Sequence, residues 1–255
     1  MQDMTIDSYL QAGGVLTSPA NVPPRYRAEL MKLMATFVDS SLAGAAGFAD
    51  IINDGPGIRE RAAAARIVLE KTGNAERVLR IMGEFGADTA RYANQHPWTA
   101  RLDRNADIGA TRSDHDMRLA VFNYPLTGWT DAVVMNLLMG RAVSAQLADM
   151  VRLSYQPLAA AFRTIAPVEL GHADLAATGL ARIINEGGAD NAQAAATYWW
   201  PRVAASFGTG RPDREAALRA MGLRHSAGAK LRQTWEQTAA AELSALGLAQ
   251  PRTRP

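Results

Sequence analysis

One segment in the second half of the chain has an apolar side chain at nearly every third or fourth position, the spacing of one face of an α-helix. Glu169 and His172, three residues apart, fall in the middle of that face. A carboxylate in an apolar stripe is costly unless a metal ion or an opposite charge compensates it. The sequence therefore predicts a buried helix whose centre needs a cation. The apolar members of the stripe are Leu158, Phe162, Ile165, Ala176, Leu180 and Ile183.

The same periodicity recurs in other segments and predicts an all-α chain. Two predicted helices joined by an Asn-Asp-Gly-Pro-Gly turn are followed by a polar crossover at 94–127 and then by two more helices that Pro157 separates. One long connection between two helical hairpins is typical of a ferritin-like four-helix bundle. The predicted helices cover about 25–52, 58–93, 129–155, 158–185, 191–206 and 212–247.

We expect all 255 residues to form a single domain with three parts. Residues 1–23 are a lead-in segment in which glycines and prolines should prevent a helix. Residues 24–187 form the four-helix bundle, and 190–248 add further helices.

Composition narrows the class of protein. The chain has no cysteine, and its 27 lysines and arginines nearly balance 25 acidic residues. It can therefore form neither disulfides nor thiolate metal sites, and no basic stripe interleaved with aromatic residues indicates nucleic-acid binding. No segment approaches the roughly 20 apolar residues of a membrane span, and the N-terminus lacks a signal-peptide core. We expect a cytoplasmic protein that binds neither nucleic acid nor membrane.

A ferritin-like di-metal site needs a carboxylate from each of two helices and a Glu-x-x-His pair from each of the other two. Glu169 and His172 supply one such pair. On the second helix, Lys71 and Asn74 have the same spacing and the same inward position, but they are an ammonium and an amide. An ammonium is a poor metal ligand, and an amide supplies only a neutral oxygen. This half of the expected ligand set is therefore absent.

The two remaining helices also lack their expected carboxylates. Gly140 lies on the stripe of the third helix where an acid would be needed, and Ser41 takes the corresponding place on the first helix, with Asp39 just off the stripe. About four of the six ligands of a di-metal site are thus missing from the sequence.

Several strings resemble the phenylacetic acid catabolic protein family, the ferritin-like subunits of bacterial phenylacetyl-CoA mono-oxygenase. They cover about two-thirds of the chain. The strings are FVDSSLAGAAGFADIIND, AARIVLEKTGNAERVLRIMGEFG, NYPLTGWTDAVVMNLLMGRAVSAQL and SYQPLAAAFRTIAPVELGHADLA.

The resemblance implies a fold and a set of site residues. In the catalytic subunit of that family, the four helices carry a di-iron centre that activates dioxygen. Of its ligands only Glu169 and His172 carry over with their chemistry, because the family has Glu and His at the places of Lys71 and Asn74. The family has acidic residues at the other two vacated positions, Gly140 and Ser41.

The family also contains a non-catalytic subunit with a degraded site, which supports the catalytic one. The resemblance therefore implies an accessory subunit or pseudoenzyme, either a homo-oligomer or a partner of a related ferritin-like subunit.

A physical reason for the substitutions follows from charge. Without metal ions, an inward Glu169 would be an unpaired buried carboxylate. A buried charge that loses its partner destabilises a protein by roughly 3–5 kcal/mol. We hypothesise a Lys71–Glu169 ion pair in the former metal cavity, with Asn74 and His172 hydrogen-bonded around it. On this interpretation no metal cofactor is expected.

Two alternatives remain open at this stage. The chain could be an active mono-oxygenase with two iron ions that acts on an aromatic acyl-CoA, with Asp39, Glu70 or Glu76 as further ligands. It could instead bind a CoA thioester or another small molecule in the empty cavity. Arginines of the crossover would then face the CoA phosphates, namely Arg101, Arg104, Arg112 and Arg118.

Overall fold

The computed structural model describes residues 5–95, 97–111, 116–208 and 210–251, and its regular secondary structure in these ranges is helical, with no β-strand. The all-α prediction is confirmed. The helices are α1 (Ile6–Gln11), α2 (Pro24–Ile51), α3 (Ile58–Glu84), α4 (Thr89–Gln95), α5 (Trp129–Met150), α6 (Gln156–Asn185), α7 (Ala189–Ala204), α8 (Pro212–Ala220) and α9 (Gly228–Ala245).

Four of these helices form the bundle. The hairpin of α2 and α3 packs against the hairpin of α5 and α6, so that α3 faces α6 and α2 faces α5. The connection between the hairpins crosses the bundle, and its described residues include α4 and a short 3-10 turn at Ala120–Asn123. This is the ferritin-like arrangement. Helices α7 and α9 pack against the outer side of α5.

The apolar stripes predicted from the sequence point into the bundle. Pro24 stands at the first turn of α2, where its missing N–H costs nothing. Leu30 and Met34 on α2, and Leu158 and Phe162 on α6, are fully buried. Burial of these side chains is the main source of stability of helices that pack in this way.

Glycines with a left-handed backbone conformation interrupt two of the predicted helices. The helix predicted to reach residue 93 ends at Glu84, since Gly86 adopts a φ of +84° and the chain restarts as α4. The helix predicted over 212–247 is two helices, α8 and α9. Gly222, with a φ of +64°, lies between them, and a Cβ there would be 2.8 Å from the Cβ of Ser154.

The lead-in segment is more ordered than predicted. It contains α1, and Leu10 and Leu16 are buried in the core. The backbone N–H of Leu16 donates to the carbonyl of Ser154 at 2.7 Å, and that of Gln156 donates to the carbonyl of Leu16 at 2.9 Å. These bonds use the extended residues that follow α5, which explains why α5 ends at Met150 rather than near 155. The single-domain assignment stays a prediction.

Candidate functional site

The four central residues predicted from the sequence lie together where α3 faces α6. The Lys71 Nζ donates to Oε2 of Glu169 at 2.6 Å, and the Asn74 Nδ2 donates to Oε1 at 3.1 Å. Glu169 is only 2% exposed. Both oxygens of this buried carboxylate are therefore engaged by donors from the neighbouring helix.

His172 binds a different acid from the one predicted. Its Nε2 lies 2.6 Å from Oε2 of Glu70, and the other oxygen of Glu70, Oε1, accepts from Nε of Arg66 at 2.9 Å. Its Nδ1 lies 3.6 Å from Oε2 of Glu169, too far for a hydrogen bond, and finds no other hydrogen-bond partner among the described residues. The imidazole thus stands between two carboxylates and is bonded to the outer one.

Glu70, which the sequence offered only as a possible further metal ligand, belongs to the cluster as the partner of His172. The Glu70 side chain is 27% exposed and reaches past the edge of α3 to His172 on α6. Its position next to the inward Lys71 was the only available signal.

The charges of the cluster are set by these contacts. Burial by itself raises the pKa of Glu169, but the Lys71 ammonium and the neighbouring His172 more than offset burial and hold the pKa well below its usual range. Burial also raises the pKa of Glu70, and the hydrogen bonds from Arg66 and His172 outweigh it, so that this pKa is lowered too. Glu169 is therefore a carboxylate at neutral pH.

Gly140 and Ser41, the two positions where acidic metal ligands were expected, have different surroundings. A Cβ on Gly140 would lie 2.8 Å from the Cβ of Ala173, so α5 and α6 approach too closely there for a carboxylate to fit. Ser41 is buried on α2, but the α2 residue that lies against Lys71 is Gly44, where a Cβ would be 3.7 Å from Cδ of Lys71. That is an ordinary contact distance, and the tighter neighbour of a Cβ on Gly44 would be Cε1 of Phe122, at 3.2 Å.

A small cavity borders the ion pair on the side of α2 and α5. Its volume is about 30 Å³, and its walls include Gly44, Lys71, Phe122 and Met139. A single water needs roughly 10–15 Å³ by this kind of measure, so the cavity has room for about two waters and none for an acyl-CoA.

The acids considered as further metal ligands lie elsewhere or have other partners. Asp39 is buried, but it accepts from the Tyr92 hydroxyl and, at 2.8 Å, from the backbone N–H of Met117. Glu76 is 61% exposed and pairs with Arg80 at 2.6 Å. Neither contributes to the cluster around Glu169.

The crossover arginines within the described residues donate to the chain itself. Arg104 forms two bonds with Asp131, at 2.6 and 3.0 Å. Arg118 is buried against Asp116 and the carbonyls of Pro97 and Ala100, while Arg101 donates to backbone carbonyls, including that of Ala43 on α2. These contacts fasten the crossover to the bundle, so a CoA phosphate would have to displace protein acceptors from these three arginines. Arg112 lies outside the described residues.

A family model described as phenylacetic acid catabolic protein matches residues 4–255. The chain belongs to this family. It is accordingly a ferritin-like subunit of phenylacetate catabolism. A comparison with curated proteins found no match. No helix in the described part of the chain is long and apolar enough to cross a membrane.

The donor set does not fit the two iron ions that the family resemblance implies. Within the described residues, no group of three or more His, Cys, Asp or Glu side chains could hold a metal ion. Both oxygens of Glu169 already accept from Lys71 and Asn74, and Gly140 has no room for the carboxylate that α5 would have to supply. A metal ion at Glu169 would have to displace an ammonium and leave it without its partner.

Proposed function

We propose that this member of the phenylacetic acid catabolic protein family is a non-catalytic subunit that supports a related ferritin-like subunit. The observation that carries the proposal is the contact of 2.6 Å between the Lys71 ammonium and the Glu169 carboxylate. The positive charge that metal ions would bring to the centre of the bundle comes here from a side chain.

Charge balance supports the proposal. Glu169 is almost fully buried, and a buried carboxylate that loses its partner destabilises a protein by roughly 3–5 kcal/mol. Lys71 and Asn74 satisfy both of its oxygens without a metal ion. The bundle can therefore fold and persist in a subunit that performs no oxygen chemistry.

Packing supports the same conclusion. The contact between Gly140 and Ala173 closes the space between α5 and α6 that a ligand from α5 would need. In a close-packed interior this gap cannot be reopened without moving a helix. The centre is thus adapted to the ion pair by shape as well as by charge.

Metal analysis of purified protein tests the proposal. The full-length chain is produced in iron-supplemented medium, purified without chelators, and analysed by elemental mass spectrometry. Its thermal unfolding is measured with and without EDTA. We expect substoichiometric metal and the same melting temperature with and without EDTA. A metal ion that bound only the native state would raise the melting temperature, and EDTA would remove that increase. Two tightly bound iron ions per chain, with a lower melting temperature in EDTA, would favour an active mono-oxygenase instead.

A further inference from the structure

The outer face of α3 and the adjacent surface of α6 expose apolar side chains to solvent. Leu69 is 74% exposed, and Leu170 on the adjacent α6 is 43% exposed. Leu69 borders a groove of about 410 Å³ on this surface, which Gly73 and Val168 also line, with Asn74 among its lining residues. A Cβ on Gly73 would meet no atom within 4 Å. The exposed side chain of Leu69 and the open space at Gly73 thus lie side by side on one surface.

This face has the spacing of a helix-packing stripe. Its residues follow one another at alternating steps of four and three, the pattern by which one α-helix contacts another along its length. The members of the stripe are Ala62, Arg66, Leu69, Gly73, Glu76 and Arg80.

The stripe is complementary to itself when a second copy is laid antiparallel. With a two-fold axis at the level of Lys71, residues equally far before and after position 71 face each other. Leu69 then lies over Gly73 of the second copy, and Arg66 lies opposite Glu76 of the second copy. Each contact occurs twice because of the symmetry.

The outermost pair follows the same rule, since Ala62 faces Arg80 of the second copy. Every pair along this alignment therefore joins a large residue to a small one or a positive charge to a negative one. Like charges would face each other if the axis were moved to Gly73, because Arg66 would then meet Arg80 and Glu70 would meet Glu76.

We propose that two copies of this chain associate through antiparallel packing of α3 about a two-fold axis at Lys71, with Leu69 of each copy seated in the α3–α6 groove of the other. The charged side chains of this face already form pairs along α3, Arg66 with Glu70 and Glu76 with Arg80, in which Arg66, Glu76 and Arg80 are largely exposed and Glu70 is 27% exposed. Exposed pairs of this kind are weak and can exchange partners when a second helix arrives.

The contact is small. A helix of 27 residues offers about 40 Å of length, which places the interface at the weak end of the range for protein dimers. We therefore expect a dimer that dissociates at micromolar concentration. This interface goes beyond the proposed function and requires neither a metal ion nor its absence.

Sedimentation velocity of the full chain over a range of micromolar concentrations tests the interface. Arg66→Glu and Glu76→Arg should each weaken dimerisation by about tenfold or more, because two opposed pairs become like-charged. The double variant should recover the dimer. Each variant also disturbs its pair along α3, and the double variant disturbs both, so only a contact between chains accounts for a recovery. Circular dichroism verifies that all three fold.

A matched pair of apolar variants provides a second measurement. Leu69→Glu should abolish the dimer, whereas Leu102→Glu, at a site 40% exposed in the crossover, should leave it unchanged. Monomeric wild-type protein at high micromolar concentration would overturn the proposal, as would a double variant no better than the singles. A chain that is monomeric alone and binds only a related ferritin-like subunit would also overturn it, while leaving the accessory function standing.

Discussion

Replacing Lys71 by methionine removes the internal cation while keeping the length of the side chain. Among the described residues Glu169 would then retain the hydrogen bond from the Asn74 amide, in surroundings that leave it 2% exposed. Loss of one partner from a buried pair costs roughly 3–5 kcal/mol. The Lys71 side chain is itself 12% exposed, so some water reaches the pair, and we expect a loss near the lower end of that range.

The cost of this substitution should depend on pH. In the wild type the pKa of Glu169 is lowered, so its contribution to stability is fully present above the unfolded pKa, about 4.3, and is lost only as the pH falls from there toward the lower folded pKa. In Lys71→Met, burial without the ammonium should raise the pKa of Glu169. A raised pKa stabilises the fold below the unfolded value and destabilises it as the pH rises. The difference between the two proteins should therefore be largest at pH 8 and should decrease as the pH falls toward 4.

Urea unfolding followed by circular dichroism at several pH values measures this difference. Adding Glu169→Gln to Lys71→Met should recover much of the lost free energy of unfolding, because the buried charge is gone. Lys32→Met, which removes an exposed lysine from its pair with Glu29, is the control and should change stability by less than about 0.5 kcal/mol. A Lys71→Met protein that loses less than about 1 kcal/mol, equally at all pH values, would refute the role assigned to the ion pair.

Three further variants test the packing of the bundle, the attachment of the crossover and the missing metal ligands. Gly140→Ala should cost about 1–3 kcal/mol in urea unfolding, because the new methyl group would meet Ala173 at 2.8 Å, and an unchanged stability would contradict the close packing of α5 and α6. Asp131→Ala should cost about 3–5 kcal/mol, since it leaves Arg104 and the indole N–H of a buried tryptophan without their acceptor, and a loss below about 1 kcal/mol would contradict this role. Lys71→Glu combined with Asn74→His restores the second Glu-x-x-His pair, so added Zn²⁺ should raise the melting temperature of this variant and not that of the wild type. An equal rise in both proteins would count against the proposed absence of a metal site.

The sequence alone determined the features that depend on local spacing. The helical period placed the apolar stripes of α2, α3, α5 and α6 on their inner faces, and it identified Lys71, Asn74, Glu169 and His172 as inward residues. Such a pattern holds because residues three and four apart share one face of a helix in any tertiary context. The family resemblance rested on the same segments.

The tertiary structure alone decided which residues meet across helices. That Glu70 reaches His172, 102 positions away, depends on the crossing of α3 and α6, which no local pattern encodes. The closed space at Gly140 likewise depends on how near α5 comes to α6. The ordering of the lead-in segment depends on the bonds of Leu16 with residues beyond α5, so glycine and proline content could not predict it. Local spacing determines which face of a helix is buried, and packing between helices determines what that face contacts.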